Sequence, residues 1–404
     1  MTIQFVRFID FWIGIPLCFL FTQVRRLASI VSKERRSGPK KVLFIELSEM
    51  GSAILAYTAL KRVHETHSGV ELYFLIFKKN AESVRVLGIV PEEHIVEIDE
   101  SSFSSFCVSA LSALVFFWKR GIDTVIDLEL FSRFTMLFSY LTGASVRVGF
   151  YRYCDEGLYR GELLTHRVHF NTHQHVAKNF LALSLALESS TEEVPMVKQN
   201  LNGFKICEPR YEVSDEERRI AAELLPAQGL LIAVNPDSGN LLPHRAWPLE
   251  YFGRACRMLL EQHPSAKLVL TGLPEARRSA DRLIVDLPPE RVVDLTGQTA
   301  SVGELIAVLQ RVQLILTSDC GVGHFASLTQ TPAVVLFGPE SPERYGALSD
   351  HIKNLSARIS CSPCYTIANH RKSPCNNNIC MKMLEPEYVV AQSLELLEQQ
   401  SYRD

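Results

Sequence analysis

Two stretches of this chain repeat one pattern: short β-branched apolar runs, polar turns, and segments in which apolar residues recur at helical spacing. In the first stretch, runs at 41–47 (KVLFIEL), 71–77 (ELYFLIF), 94–98, 124–128 and 146–150 predict strands. In the second, the same signal falls at 230–235 (LLIAVN), 267–271 (KLVLT), 292–295, 314–318 (LILTS) and 333–337 (AVVLF). Continuous rather than alternating hydrophobicity marks strands covered on both faces, hence parallel sheets with crossover helices. The expected fold is therefore α/β: two Rossmann-like doubly wound domains facing a cleft, with ligands outside the carboxyl ends of the strands. The polar run 188–193 (ESSTEE) followed by Pro195 places the break. The expected division is a first domain at 38–190, a linker at 191–212, a second domain at 213–385 and a terminal helix at 386–404. That helix, amphipathic over 387–399, is expected to pack back across the first domain.

The amino terminus has a different pattern. An apolar run at 11–21 (FWIGIPLCFLF) is flanked by Arg7, Arg25, Arg26, Lys33, Arg35, Arg36, Lys40 and Lys41, against only Asp10 and Glu34. The uncharged stretch, 11–24, falls short of the roughly 20 residues a spanning helix needs, and Pro16 interrupts it. No small-residue cleavage site follows it. Residues 1–37 are therefore expected to form a retained helical segment that dips into one leaflet, its Lys and Arg drawn to anionic lipid. A core helix or a docking helix for a partner is the alternative.

With 404 residues, 47% of them hydrophobic, the chain exceeds one core and excludes a disulfide-stapled mini-protein or a disordered tail. A net charge of -3 argues against a protein that coats nucleic acid, so any charged site is local. Six of the ten cysteines (Cys18, Cys107, Cys154, Cys207, Cys256, Cys320) show no motif spacing, as suits a reducing cytosol.

Candidate chemistry concentrates after three strands of the second stretch. Asp319, Cys320, Gly321, Val322, Gly323 and His324 follow the run at 314–318 and lead into an expected helix at 325–329. Two glycines and a helix start favour a phosphate or pyrophosphate, with Asp319 available to sugar hydroxyls and His324 to a phosphate oxygen; Asp319 as a mere N-cap is the alternative. The loop 235–248 carries Ser238, Asn240 and Arg245 before Trp247-Pro248. Arg245 can pair bidentately with a diphosphate, while Trp247 can anchor the next helix in the core. At 271–275 (TGLPE), Glu275 can take both hydroxyls of a ribose or simply favour a helix start.

These loops resemble glycosyltransferase family 9, the bacterial heptosyltransferases, two-domain GT-B enzymes acting on lipopolysaccharide core. The resemblance covers about 41–397. It rests on LFIELSEMG at 43–51, RVGF at 147–150, His175, Arg245-x-Trp-Pro, Thr271-Gly272 with Glu275, Asp319-x-Gly-x-x-His324, and LFGP at 336–339 with Pro342. It implies an inverting transfer from a nucleotide sugar, ADP-heptose favoured, to a lipid-linked saccharide. The place implied is the cytoplasmic face of the bacterial inner membrane, with the chain peripheral or monotopic and inner-membrane lipid a partner. No cofactor is implied for catalysis and no paired Asp-x-Asp motif suggests a metal. Arg245 stands where the family usually has a phosphate-binding Lys, Glu275 where a ribose-binding Glu lies, and Cys320 where a Thr is usual. The family's base after the first strand is an Asp; here the pair reads Gly51-Ser52. A serine hydroxyl cannot serve unaided near neutral pH, so Glu49 is expected to be the base, with Glu46 the alternative. The same substitution leaves room for a catalytically silent nucleotide-sugar-binding protein, and the architecture for an epimerase.

Cys361, Cys364, Cys375 and Cys380 have spacing compatible with a structural zinc, or with disulfides or reduced thiols. His166, His169, His173 and His175 fit no single helical face, and the segment reads as a loop entering a helix. One or two of them, with Arg167, Arg152 and Arg160, are expected to meet an anionic acceptor rather than a metal.

Overall fold

A computed structural model describes residues 3–29, 38–130, 132–152, 158–189, 193, 195–239, 242–366, 369 and 371–401. The chain divides into two compact units between Cys207 and Glu208.

The first unit is a six-stranded all-parallel sheet of β1 (Lys41–Ile45), β2 (Glu71–Phe77), β3 (Ile95–Ile98), β4 (Thr124–Asp127), β5 (Val146–Phe150) and β6 (His166–Val168). Its order is β3-β2-β1-β4-β5-β6. Its helices are α1 (Ile3–Trp12), α2 (Gly14–Ser29), α3 (Met50–Leu55), α4 (Tyr57–Thr66), α5 (Glu82–Arg85), α6 (Phe103–Arg120), α7 (Arg133–Leu141) and α8 (Val176–Leu185). Leu43, Ile45, Leu75 and Val125 of the sheet share one buried cluster with Ala113 and Phe117 of α6 and Phe138 of α7, so both helices cover one face.

The second unit repeats the plan with β7 (Leu231–Asn235), β8 (Lys267–Leu270), β9 (Val292–Asp294), β10 (Leu314–Ser318), β11 (Ala333–Phe337) and β12 (Ile352–Ser356), in the order β12-β11-β10-β7-β8-β9. Its helices are α9 (Asp215–Leu224), α10 (Leu249–Gln262), α11 (Arg277–Ile284), α12 (Val302–Leu309), α13 (Gly321–Ala326), α14 (Pro342–Tyr345), α15 (Ile379–Lys382) and α16 (Pro386–Ser401). Strands β7, β10 and β11 are buried along their length, as the apolar runs require.

Several expectations are corrected. The terminal helix belongs to the second unit: Val389, Val390 and Leu396 of α16 join a core with Cys256 and Leu259 of α10, and Arg254 pairs with Glu387. The expected linker is fastened to the first unit through residue 207. Val197 N donates to Arg167 O at 2.9 Å, and Thr58 Oγ1 exchanges hydrogen bonds with the Cys207 backbone at 2.9 and 3.0 Å. The histidine segment contains an edge strand, β6, rather than a plain loop.

The amino-terminal segment is longer than its uncharged run. Over 5–27 it is long and apolar enough, by length and composition alone, to cross a membrane. One side is nonetheless docked on the domain. Asp10 pairs with Arg133 at 2.7 Å, Phe21 packs on Tyr140, and Thr22 Oγ1 accepts from Glu162 N at 2.9 Å. Contact is so close that a Cβ on Gly161 would lie 2.6 Å from Thr22 Oγ1. The opposite side exposes Phe8, Trp12, Phe19, Leu20 and Leu27.

Candidate functional site

In each sheet the strand order reverses once, between β1 and β4 in the first unit and between β7 and β10 in the second. Loops leaving such neighbours diverge and open a crevice at the carboxyl rim.

At the second unit's reversal, Cys320 Sγ lies 3.5 Å from Asn235 Nδ2 and 3.2 Å from Thr317 Oγ1, tying the ends of β7 and β10 together. Burial raises its thiol pKa. After β7 the chain folds on itself through Asp237 N to Asn235 Oδ1 and Gly239 N to Asp237 Oδ1, with Gly239 left-handed at φ 73°. Ser238 is half-buried beside it. Asn240 lies outside the described residues.

Arg245 ends a short 3-10 turn and points into the crevice. Its Nε stands 3.3 Å from Asp319 Oδ2 and its Nη2 3.9 Å from Glu340 Oε1. Glu340 also meets Arg371 Nε at 3.0 Å, and the Arg371 guanidinium lies 4.8 Å from the Tyr345 ring centre. Side chains of both carboxylates are at most 3% exposed and those of both arginines 12–13%. Two cations and two anions are thus held together at one rim. Breaking one such buried pair costs about 3–5 kcal/mol, because its partner stays charged out of water.

Helix α13 starts at Gly321, four residues earlier than expected, with Cys320 rather than Asp319 as its N-cap. The side chains of this turn pack inward. Val322 is buried, and a Cβ on Gly323 would meet Val335 at 3.1 Å, so that glycine serves helix-to-strand packing. His324 is buried in the same helix. Glu275 sits exposed in the turn after β8, the third loop of this rim. Trp247 is an anchor: it is buried, and its Nε1 donates to Leu384 O at 2.9 Å.

Glu340 and Arg371 were missed by sequence reasoning. Glu340 lies between two quoted motif residues, Pro339 and Pro342, where an acid at a strand end was the available signal. Arg371 comes from the cysteine-rich stretch and adopts φ 52°, a conformation uncommon for a residue with a Cβ and invisible in sequence. That stretch walls the site. His244 bridges Tyr365 Oη at 2.6 Å and Cys375 O at 2.7 Å, and Asn378 Nδ2 donates to His244 O at 3.0 Å.

Among the described residues no three His, Cys, Asp or Glu side chains are grouped to hold an ion. Cys380 is buried, its thiol pushed up to about 11 by desolvation, while Cys361 and Cys375 are exposed and Cys364 Sγ donates to Ser373 Oγ at 3.7 Å.

At the first unit's reversal the groups are carboxylates. Glu129, just beyond β4, accepts from Leu47 N at 3.0 Å, Ser48 N at 3.0 Å and Ser48 Oγ at 2.5 Å. Asn80 Nδ2 grips Leu47 O at 2.8 Å from beyond β2. The turn after β1 is therefore pinned from both neighbours. Burial raises the Glu129 pKa, opposed by the Ser48 hydroxyl. Glu49 is the half-buried N-cap of α3, and Ser52, in the first turn of that helix rather than on the loop, donates to Glu49 Oε2 at 3.4 Å. Glu46 is 4% exposed. Of the two carboxylates weighed as base, only Glu49 has appreciable solvent access.

Arg160 is not an acceptor contact: it is buried against Asp127 and Thr135, with Nη1 donating to Glu129 O at 2.8 Å. Arg167 pairs with Glu162 and lies over Tyr151. Arg152 lies over Tyr159. His175 caps α8, its Nδ1 accepting from Ala177 N at 3.1 Å, while His169 and His173 are exposed.

Comparison with known proteins gives the family and the fold. The family described as "Glycosyltransferase family 9 (heptosyltransferase)" matches residues 120–373. Lipooligosaccharide heptosyltransferase 2 of Haemophilus influenzae is 27% identical over 173 residues, which are 42% of this chain and 48% of that protein. The core heptosyltransferase OpsX of the same organism is 19% identical over 315 residues, 76% of this chain and 81% of its own. The chain thus matches about half the length of the first of these relatives. Among solved structures, Escherichia coli ADP-heptose LPS heptosyltransferase II superposes with a TM-score of 0.70 at 16% identity, covering 89% of this chain and 99% of that one. A family 9 glycosyl transferase from Veillonella parvula gives 0.68 at 18%, covering 91% and 100%. The GT-B plan of two Rossmann-like domains is shared with both.

Proposed function

The chain belongs to glycosyltransferase family 9, and from that premise we propose that it transfers a sugar, heptose favoured, from a nucleotide sugar to a lipid-linked saccharide such as lipopolysaccharide core. One observation carries the reading: the family match spans a strand-order reversal where Arg245, Asp319, Glu340 and Arg371 converge.

In this reading the second unit binds the donor. Glu275 takes the ribose hydroxyls, Asp319 the sugar, and Arg245 with His324 the diphosphate. An acceptor hydroxyl, losing its proton to Glu49, attacks the anomeric carbon as the bond from that carbon to the phosphate oxygen breaks. Configuration inverts, and the nucleoside diphosphate departs with the new negative charge. Fixed cationic donors aimed at that charge supply most of the rate enhancement, and no metal is needed. Ser52, hydrogen-bonded to Glu49, orients the base that the family places one turn away.

ADP-heptose is the favoured donor because the E. coli structural relative is an ADP-heptose enzyme. We also place the protein on the cytoplasmic face of the inner membrane as a monotopic protein. The docking of this segment on its own domain, with one side left apolar, supports that reading.

The test is incubation with ADP-, UDP-, GDP- and dTDP-sugars, reading the melting temperature and then nucleotide release on adding membrane lipid extract. An ADP-sugar is expected both to raise the midpoint and to release ADP. A shift without product would make the protein a silent binder, and a shift by UDP-sugars alone would change the donor.

A further inference from the structure

Helix α6 departs from the usual pattern of a surface helix. From Phe103 to Trp118 it carries no charged residue, although one side of it faces outward. Phe103 is 49% exposed, Val108 66%, Leu111 61% and Trp118 52%. A helix covering a soluble domain normally turns charged side chains to water, so an uncharged outer face calls for something other than water.

This face is continuous with the apolar side of the amino-terminal pair α1 and α2. The Phe5 and Phe103 rings meet edge to face with centroids 6.0 Å apart. Helix α7 bridges beneath them: it packs against α2 through Phe21 and Tyr140 and shares the buried cluster with α6. The indole of Trp118 donates from Nε1 to Leu141 O at 2.7 Å, and Leu141, at the end of α7, is itself 38% exposed. Among the described residues, most of the large apolar side chains left exposed belong to these four helices, and those of the second unit are scattered.

The charges at the edges select the partner. Lys119 and Arg120 close α6, both exposed, and Arg26 is exposed near the end of α2. Asp10, the acid within this segment, is withdrawn into its pair with Arg133. Apolar and aromatic side chains with a cationic edge match the interface of an anionic bilayer.

We propose that the outer face of α6 is a second membrane-contact element, continuous with α1 and α2, so that the first domain rests on anionic lipid through a broad surface rather than hanging from an amino-terminal anchor. This rests on the membrane placement proposed above and extends it to a helix of the folded domain.

The experiment is flotation of the full chain with vesicles of phosphatidylethanolamine and phosphatidylglycerol, beside vesicles of phosphatidylcholine alone. The wild type is expected to float with the anionic vesicles and to be partly released by high salt. The double variant Val108→Glu/Leu111→Glu is expected to lose binding about tenfold while its melting midpoint and ADP binding stay at wild-type values. Val108→Ser/Leu111→Ser, which adds no charge, is expected to lose less and guards against a folding defect in the first variant. Both variants floating like the wild type would overturn the α6 proposal and leave the amino-terminal anchor standing. A wild type that ignores both vesicles would sink the membrane placement itself. A wild-type dimer in sedimentation that either variant splits would overturn the proposal in favour of self-association.

Discussion

The two strand-order reversals are built on one topology and carry opposite chemistry. At β1 and β4 the groups on the rim are Glu46, Glu49 and Glu129, with Glu129 spent on holding the turn after β1. At β7 and β10 they are Arg245 and Arg371, held by buried Asp319 and Glu340. The fold supplies a crevice twice; a few loop side chains line one with carboxylates and the other with paired arginines. The second site is also electrically compensated before any ligand arrives, so its arginines are prealigned at the cost of net positive charge.

The sharpest way to break the comparison is at the first reversal. Glu49→Gln is expected to lower kcat by about 10²–10⁴ with donor affinity unchanged, whereas Glu46→Gln stays within a few-fold. Initial rates at saturating donor decide it, and near wild-type turnover of Glu49→Gln would remove the assigned base. At the second reversal, Arg245→Ala is expected to weaken ADP binding roughly ten- to hundredfold by calorimetry, the worth of a charged hydrogen bond, with adenosine binding unaffected. Arg371→Ala should raise the donor KM about tenfold with a smaller change in kcat, and Arg371→Lys should restore part of it, since the charge returns without the planar fork. Equal KM in wild type and Arg371→Ala would reduce the Arg371–Glu340 pair to a structural contact.

The smallest effect concerns pH. Glu129 titrates above its ordinary value because it is buried. A carboxyl whose folded pKa is raised contributes stability that is complete below about pH 4 and lost as pH rises through the folded value. The melting midpoint of the wild type should therefore decline relative to Glu129→Gln as pH rises above about 4. A difference that stays constant as pH rises would contradict the shift.

The central strands were legible because runs such as LLIAVN and AVVLF are buried on both faces, and burial is what hydrophobicity records. β6 and β12 were not: both are edge strands, HRV of three residues and IKNLS with half-buried polar positions, and an edge strand needs no continuous apolar run. Trp247 and Arg245 could be found from their turn-and-proline context. The packing of Gly323 against Val335 was not legible, because a glycine needed for packing and one needed by a phosphate look alike in sequence. Arg371 was out of reach, since its place depends on a left-handed backbone that no residue type in that segment announces. The terminal helix was placed on the wrong domain because its amphipathic pattern states that a face is buried and not against what.

The central claim is that the second unit's reversal grips the diphosphate of the donor. Hydrogen exchange of the wild type with and without ADP tests it most directly. Slowed amides at 243–248, 319–326 and 340–345, with 46–52 and 129–135 unchanged, are the predicted result. Protection confined to 46–52 and 129–135 would put the nucleotide in the other domain and contradict the account.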